Sequence, residues 1–138
     1  MDLKVVLDED AIMPERAHDT DAGLDFFTPF TVTVPKHGFK FIDTGVHVQL
    51  PRGTRGHICS KSGLSRNFGL FCDGTVDEGY TGTIGVTVMN ISDVPRTFIR
   101  GDKICQMVIE PVLYPKPVRV NEISGGERGD NGYGSTGR

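Results

Sequence analysis

The sequence predicts an all-β domain of jelly-roll or barrel type, and three observations predict it. Helical periodicity is nearly absent, and short β-branched or aromatic runs recur between turn residues. Glycine and proline are abundant, 18 and 8 of 138 residues, against roughly 12% for the two together in an average protein. The length corresponds to one domain and suffices for a hydrophobic core without staples.

Taken in order, the expected strands are residues 3–7, 30–34, 39–43, 46–50, 57–60, 83–90, 96–99 and 103–111. Residues 30–34 and 46–50 are each closed by a proline, Pro35 and Pro51, which lacks the N–H that a ladder needs. Thr31-Val32-Thr33-Val34 and Thr83-Ile84-Gly85-Val86-Thr87-Val88 alternate with the period of two that places one face on a core. About eight strands in so small a domain suit a jelly roll or barrel. One short helix is expected at residues 62–67, with Ser62 able to cap it and Gly69 able to end it.

The composition changes near Asn121, which divides the chain into a folded domain, residues 1–120, and a glycine-rich, charged arm, residues 121–138. The arm is too poor in aliphatic residues to pack a core. Two readings stay open: a disordered tail, or a segment that orders on an anion. In the second, glycines admit close approach of backbone N–H groups, and Arg128 and Arg138 add positive charge.

Several function classes are disfavoured. The longest uncharged stretch, residues 79–92, is shorter than the roughly 20 apolar residues of a membrane span. Net charge is −3 with both signs interspersed, so no basic footprint for polymeric nucleic acid is present. The start, Met1-Asp2-Leu3-Lys4, lacks the features of a secretory signal, and Cys59, Cys72 and Cys105 are odd in number without a C-x-x-C pair. A cytoplasmic protein with reduced, structural cysteines is expected. His18, His37, His47 and His57 are spaced too widely for a zinc site. The G-x-S-x-G and G-x-x-x-x-G-K-[ST] patterns are missing. Arg100-Gly101-Asp102 is an adhesion-type tripeptide that recurs by chance.

Polar residues and glycines interrupt the strands at four places. These are Asp21-Ala22-Gly23-Leu24-Asp25, Ser60-Lys61-Ser62-Gly63-Leu64, Gly74-Thr75-Val76-Asp77-Glu78-Gly79-Tyr80-Thr81-Gly82 and Arg100-Gly101-Asp102-Lys103-Ile104-Cys105-Gln106. Taken singly, each is an ordinary turn. Together with Arg128-Gly129 and Gly132-Tyr133-Gly134-Ser135-Thr136-Gly137 they resemble, in order and spacing, the five motifs of the homotrimeric dUTP pyrophosphatases (dUTPases). The resemblance runs from about Asp19 to the C-terminus.

That resemblance implies a β jelly roll and a homotrimer whose active sites are shared between subunits, each covered by a C-terminal arm. It implies hydrolysis of dUTP to dUMP and pyrophosphate, which limits uracil in DNA and supplies dUMP for dTTP synthesis. Asp25 matches the aspartate that holds waters of a Mg²⁺ bound on the triphosphate, in keeping with the preference of Mg²⁺ for phosphates and few carboxylates. Lys61, Ser62 and Gly63 match a phosphate-binding motif that usually carries arginine at the first of these positions; lysine supplies charge but no bidentate fork. Ser62 and nearby N–H groups at a helix start suit a phosphate.

Asp77 matches the catalytic carboxylate that orients the water attacking the α-phosphorus; an ionised aspartate can accept a hydrogen bond from that water. Tyr80 matches the aromatic residue that leaves no room for a ribose 2′-hydroxyl. Residues 75–82 are then the turn of a β-hairpin, and the backbone from Gly74, Thr75 and Val76 onward reads the uracil edge. Gln106 matches a glutamine that contacts phosphates or a metal-bound water, with Arg100 and Asp102 either shaping the preceding turn or pairing at an interface. Arg128 matches the residue for the terminal phosphate, Tyr133 the ring that stacks on uracil, and Gly134, Ser135 and Thr136 the γ-phosphate loop. Asn131 stands where the family generally has glycine, and asparagine tolerates the positive φ that glycine uses.

The dCTP deaminases look similar around Asp77 and Tyr80, but they require a catalytic glutamate on the strand after that segment. This chain has no glutamate between Gly79 and Ile109, with Thr87 near the expected place. A non-catalytic nucleotide-binding role is a further alternative.

Overall fold

A computed structural model describes residues 1–137; Arg138, one of the two expected arm cations, lies outside the described residues. Eleven strands and one helix follow one another as β1 (Lys4–Leu7), β2 (Gly23–Phe27), β3 (Val32–Val34), β4 (Gly38–Asp43), β5 (Val46–Gln49), β6 (Thr54–Cys59), α1 (Ser62–Phe68), β7 (Leu70–Phe71), β8 (Asp73–Val76), β9 (Gly85–Asn90), β10 (Arg96–Phe98) and β11 (Lys103–Pro111). The all-β jelly-roll expectation holds. All eight expected strands are present, several with shifted ends: β3 starts at Val32 and β6 already at Thr54. Three further strands, β2, β7 and β8, fall where no strand was expected.

The largest sheet has the order β2-β11-β6-β8, and a second has the order β4-β9-β7; β1 pairs with β5 and β10 with β3. Every ladder is antiparallel. One cluster of buried side chains draws Phe26 from β2, Ile42 from β4, Ile58 from β6, Val86 and Val88 from β9, and Met107 from β11. Burying each such side chain is worth about 1.5–3 kcal/mol. The period-two expectation for β9 is met, with Val86, Val88 and Asn90 inward and Thr87 and Met89 outward. Buried Asn90 is fully paired: its amide nitrogen donates to the Val34 and Val94 carbonyls, and its oxygen accepts from Ser92.

The helix forms where expected, but its cap differs. Lys61, not Ser62, occupies the boundary position, without a side-chain cap bond, and Ser62 is the first helical residue. Gly69 ends the helix as expected, at φ 68, in the left-handed region that glycine enters without Cβ strain.

Candidate active site

The first group of site residues gathers on the face of the large sheet turned away from the core. Asp25 on β2 stands directly opposite Gln106 on β11. A bulge in β11 between Lys103 and Cys105 inserts one residue against β2, so Lys103 and Gln106, three apart, reach the same face. Asp25 is 4% exposed, and each of its oxygens holds a lysine: Lys61 Nζ donates to Oδ1, and Lys103 Nζ lies 2.8 Å from Oδ2. Burial pushes this carboxyl up, but the bonds from Lys103 and Lys61 outweigh burial and hold it below the ordinary carboxylate range. The same bond raises Lys103 above the usual ammonium value.

Gln106 Nε2 donates to the Ser60 carbonyl at 3.1 Å, while its Oε1 lies beside Gly23 of β2. A Cβ at Gly23 would stand 2.4 Å from Gln106 Oε1, so any larger residue there would have to displace the glutamine side chain. Ser62 and Gly63 follow Lys61 in the exposed first turn of α1.

The second group lies on β8 and on the segment that follows it. Gly74, Thr75 and Val76 are in β8, and Asp77 sits exposed just beyond its end. Here the hairpin expectation is corrected: β8 pairs with β6 and β9 with β4 and β7, so residues 77–84 cross between two sheets. The crossing is tied at several points. Tyr80 N–H donates to the Asp77 carbonyl at 3.0 Å, and Tyr80 O–H to the Thr83 carbonyl at 2.8 Å. Thr83 Oγ1 donates to Asp43 at 3.1 Å, and buried Thr44 Oγ1 donates to the Ile84 carbonyl at 2.6 Å. Asp77 and Tyr80, with Thr75, Phe41 and Gly85, line a cleft of about 260 Å³. The Asp77 carboxylate has no hydrogen-bond partner or ion pair among the described residues.

The third group is the arm. From Val112 to Gly137 the described residues form no helix or strand. Arg128 donates to the Gly132 carbonyl at 3.0 Å and to Ser135 Oγ, so the expected terminal-phosphate cation and a phosphate-loop hydroxyl already meet. Arg128, Tyr133, Gly134, Ser135 and Thr136 surround one hollow within the arm. Asn131 does not take the expected positive φ; Gly129, Gly134 and Gly137 carry it instead. Arg100 and Asp102 do not pair with each other: Arg100 donates to the Asp10 and Pro29 carbonyls, and Asp102 accepts from the Ile99 N–H within the turn.

One chain leaves the first two groups apart. Asp25, Gln106, Cys59 and Asp73 stand in one row across four strands, and Asp77 lies four residues farther along from Asp73. Strand spacing and rise put Asp25 and Asp77 about 20 Å apart. Sequence reasoning named neither Lys103 nor Phe41 as a site residue. Lys103 escaped because an unbulged strand would not bring it to the face of Gln106, and Phe41 because its partners on the crossing segment are distant in sequence. The deaminase alternative finds no acid on β9, where Thr87 points outward opposite Phe41.

Among the described residues no group of three or more His, Cys, Asp or Glu could hold a metal ion. Asp25, with both oxygens engaged, fits a contact through water to an ion carried by a ligand better than direct coordination. No helix of the described chain is long and apolar enough to cross a membrane.

The all-β fold is the one expected of the family that the sequence resembles. The family model for dUTPase matches residues 9–137. The chain belongs to the dUTPase family. It is 42% identical over 132 residues to a deoxyuridine 5′-triphosphate nucleotidohydrolase of Clostridium novyi (strain NT), covering 94% of this chain and 93% of the relative. It is 40% identical over 141 residues to one from Crocosphaera subtropica, covering 99% of each. Among solved structures, the Staphylococcus bacteriophage 80alpha dUTPase with dUPNHPP superposes with a TM-score of 0.92 at 32% identity, covering 99% of both chains. A mutant dUTPase of phage phi11 of S. aureus, described with a structural Mg(II) ion, does so at 0.78 and 34%, covering 88% of this chain and 98% of the other.

Proposed function

We propose that the chain is a dUTP diphosphatase that hydrolyses dUTP to dUMP and pyrophosphate, at sites completed between copies of the chain in a homotrimer. The observation that carries this reading is the unpartnered carboxylate of Asp77, exposed in the cleft it shares with Tyr80, in a chain of the dUTPase family. Asp77 accepts a hydrogen bond from a water and aims its oxygen at the α-phosphorus. The new P–O bond forms as the bond to the bridging oxygen breaks, pyrophosphate departs, and the water's proton passes to Asp77 and then to solvent. Tyr80, folded back onto Thr83, fills the space a ribose 2′-hydroxyl needs. The backbone of Gly74, Thr75 and Val76 and of the crossing segment pairs with the uracil edge.

Lys61, Ser62, Gly63 and Gln106 bind the phosphates. Asp25 would hold a Mg²⁺ carried by the triphosphate through its waters, and Lys61 would serve a phosphate oxygen; the ion would supply charge neutralisation. Arg128, Ser135 and Thr136 take the terminal phosphate and Tyr133 stacks on the base, so residues 121–138 act as an arm over the catalytic domain of residues 1–120. Sharing of the site is supported by the separation of about 20 Å between Asp25 and Asp77, farther than a triphosphate spans, and by hydrogen bonds of the described arm that stay within it. Three free thiols suit a cytoplasmic location.

Pyrophosphate release measured side by side on dUTP, dTTP, dCTP and UTP with magnesium tests the reading. Strong preference for dUTP is expected; equal turnover of UTP or dTTP would contradict it.

A further inference from the structure

We propose that His47 is a positioning residue that fastens the crossing segment and so sets how tightly Tyr80 closes on the sugar. The inference rests on the assignment of Tyr80 to sugar discrimination. His47 sits on β5 opposite Val6 of β1, far in sequence from the segment it holds. Its Nδ1 lies 2.7 Å from the Thr81 carbonyl oxygen, and its Nε2 lies 2.9 Å from Asp8 Oδ1. Thr81 directly follows Tyr80, so the ring grips the main chain next to the residue that matters.

The segment needs such a tie. From Thr83 onward it is anchored by Asp43, Thr44 and the Ile84 N–H bond to the Val46 carbonyl at 2.8 Å. Between Asp77 and Gly82, the hydrogen bonds to other elements among the described residues are that of Thr81 to His47 and that of Glu78 to the Tyr114 hydroxyl. Tyr114 belongs to the stretch beyond β11, whereas His47 belongs to a paired strand of the body.

Both partners of His47 are acceptors. A neutral imidazole has one N–H and must turn a lone pair toward either Thr81 or Asp8; the imidazolium donates to both. The groups that face the ring bias this choice. Asp8, pinned by its N–H bond to the Gly45 carbonyl, and Asp43 at the end of β4 favour the charged form, whereas Lys4 shares the ring's side of the β1–β5 pair and opposes it. The bond to Thr81 first, and that to Asp8 second, raise His47 above the ordinary histidine value. With a raised folded value the double tie is complete under mildly acidic conditions and weakens as pH rises through that value.

The test is kcat/KM for dUTP and for UTP between pH 5.5 and 9, in the unaltered protein and in His47→Ala, His47→Asn and His47→Gln. An asparagine amide reaches the place of Nδ1 and can donate to Thr81 at any pH; a glutamine amide reaches only toward Asp8. The preference for dUTP over UTP in the unaltered protein should fall severalfold from acid to alkaline pH. His47→Ala and His47→Gln should show a low, flat preference, and His47→Asn a restored, flat one, with UTP turnover changing more than kcat for dUTP. If His47→Ala does not fold, the unaltered profile and the asparagine variant still decide. Variants that keep the unaltered preference and its pH dependence would overturn this inference alone. Absence of dUTP turnover in the unaltered protein would overturn the underlying function and this inference with it.

Discussion

Lys61, at the boundary of α1, gives its ammonium to Asp25 in the middle of β2, so the cation expected on a phosphate is engaged by the acid expected on a metal's waters. Lys103 takes the other carboxylate oxygen. The buried acid therefore keeps two lysines in place before any anion arrives, and the cluster carries one net positive charge with which to receive it. A buried acid with partners on both oxygens also explains how an aspartate stands inside a strand with buried neighbours, since pairing offsets much of its desolvation cost.

Asp25→Asn should destabilise the fold by about 1–3 kcal/mol at neutral pH, the lysines remaining reachable by water. Because the folded value of Asp25 lies below the unfolded one, near 3.9, its contribution is present above that pH and is lost as pH falls through the folded value. Urea unfolding at pH 7 and pH 3 checks this. The gap between variant and unaltered protein should narrow at pH 3, and a constant gap would contradict it.

Gly23→Ala places a methyl against Gln106 Oε1 and Cβ, at 2.4 and 2.9 Å, so the Gln106 side chain must shift. We expect a cost of about 1–3 kcal/mol and a raised KM for dUTP as Gln106 is pushed off Ser60. Thermal unfolding and steady-state kinetics on one preparation measure both; an unchanged KM would remove Gln106 from phosphate binding.

The alternating strands were legible in the sequence because their side chains obey the period of two without interruption, as in β9 and in Thr31-Val32-Thr33-Val34. β2 was not, because Gly23 and Asp25 look like turn residues until the bulged β11 brings Gln106 and Lys103 against them. β8 was hidden in the same way by Asp73 and Gly74, which pair with Cys59 and Ile58. The candidate site residues were read as motifs, since order and spacing survive in one dimension. Their grouping was not, because the row from Asp25 to Asp73 depends on strand order. The ties of His47 and Asp43 to the crossing segment join residues more than thirty positions apart and leave no local pattern.

Tyr80→Ala should leave dUTP turnover largely in place while raising kcat/KM for UTP about tenfold, since a missing wall admits one extra hydroxyl. Tyr80→Phe keeps the ring and loses the bond to the Thr83 carbonyl, so its effect should be much smaller. If both variants reject UTP as strongly as the unaltered protein, Tyr80 does not read the sugar.

Deleting residues 127–138 removes Arg128, Tyr133, Ser135 and Thr136, none of which supports the core. Turnover should fall by about 10² or more through lost positioning, with the elution volume on a sizing column still that of a trimer. Full activity after truncation would refute a closing role for the arm.

Co-expression of two inactive chains tests most directly whether Asp77 acts at a site completed by another copy. Asp77→Asn should bind dUTP but lose most turnover, and Lys61→Ala should bind the triphosphate poorly. In mixed assemblies some sites receive an intact Asp77 from one chain and an intact Lys61 from another, so activity should rise well above that of either variant alone. Activity no greater than that of the two variants measured separately would contradict a shared site.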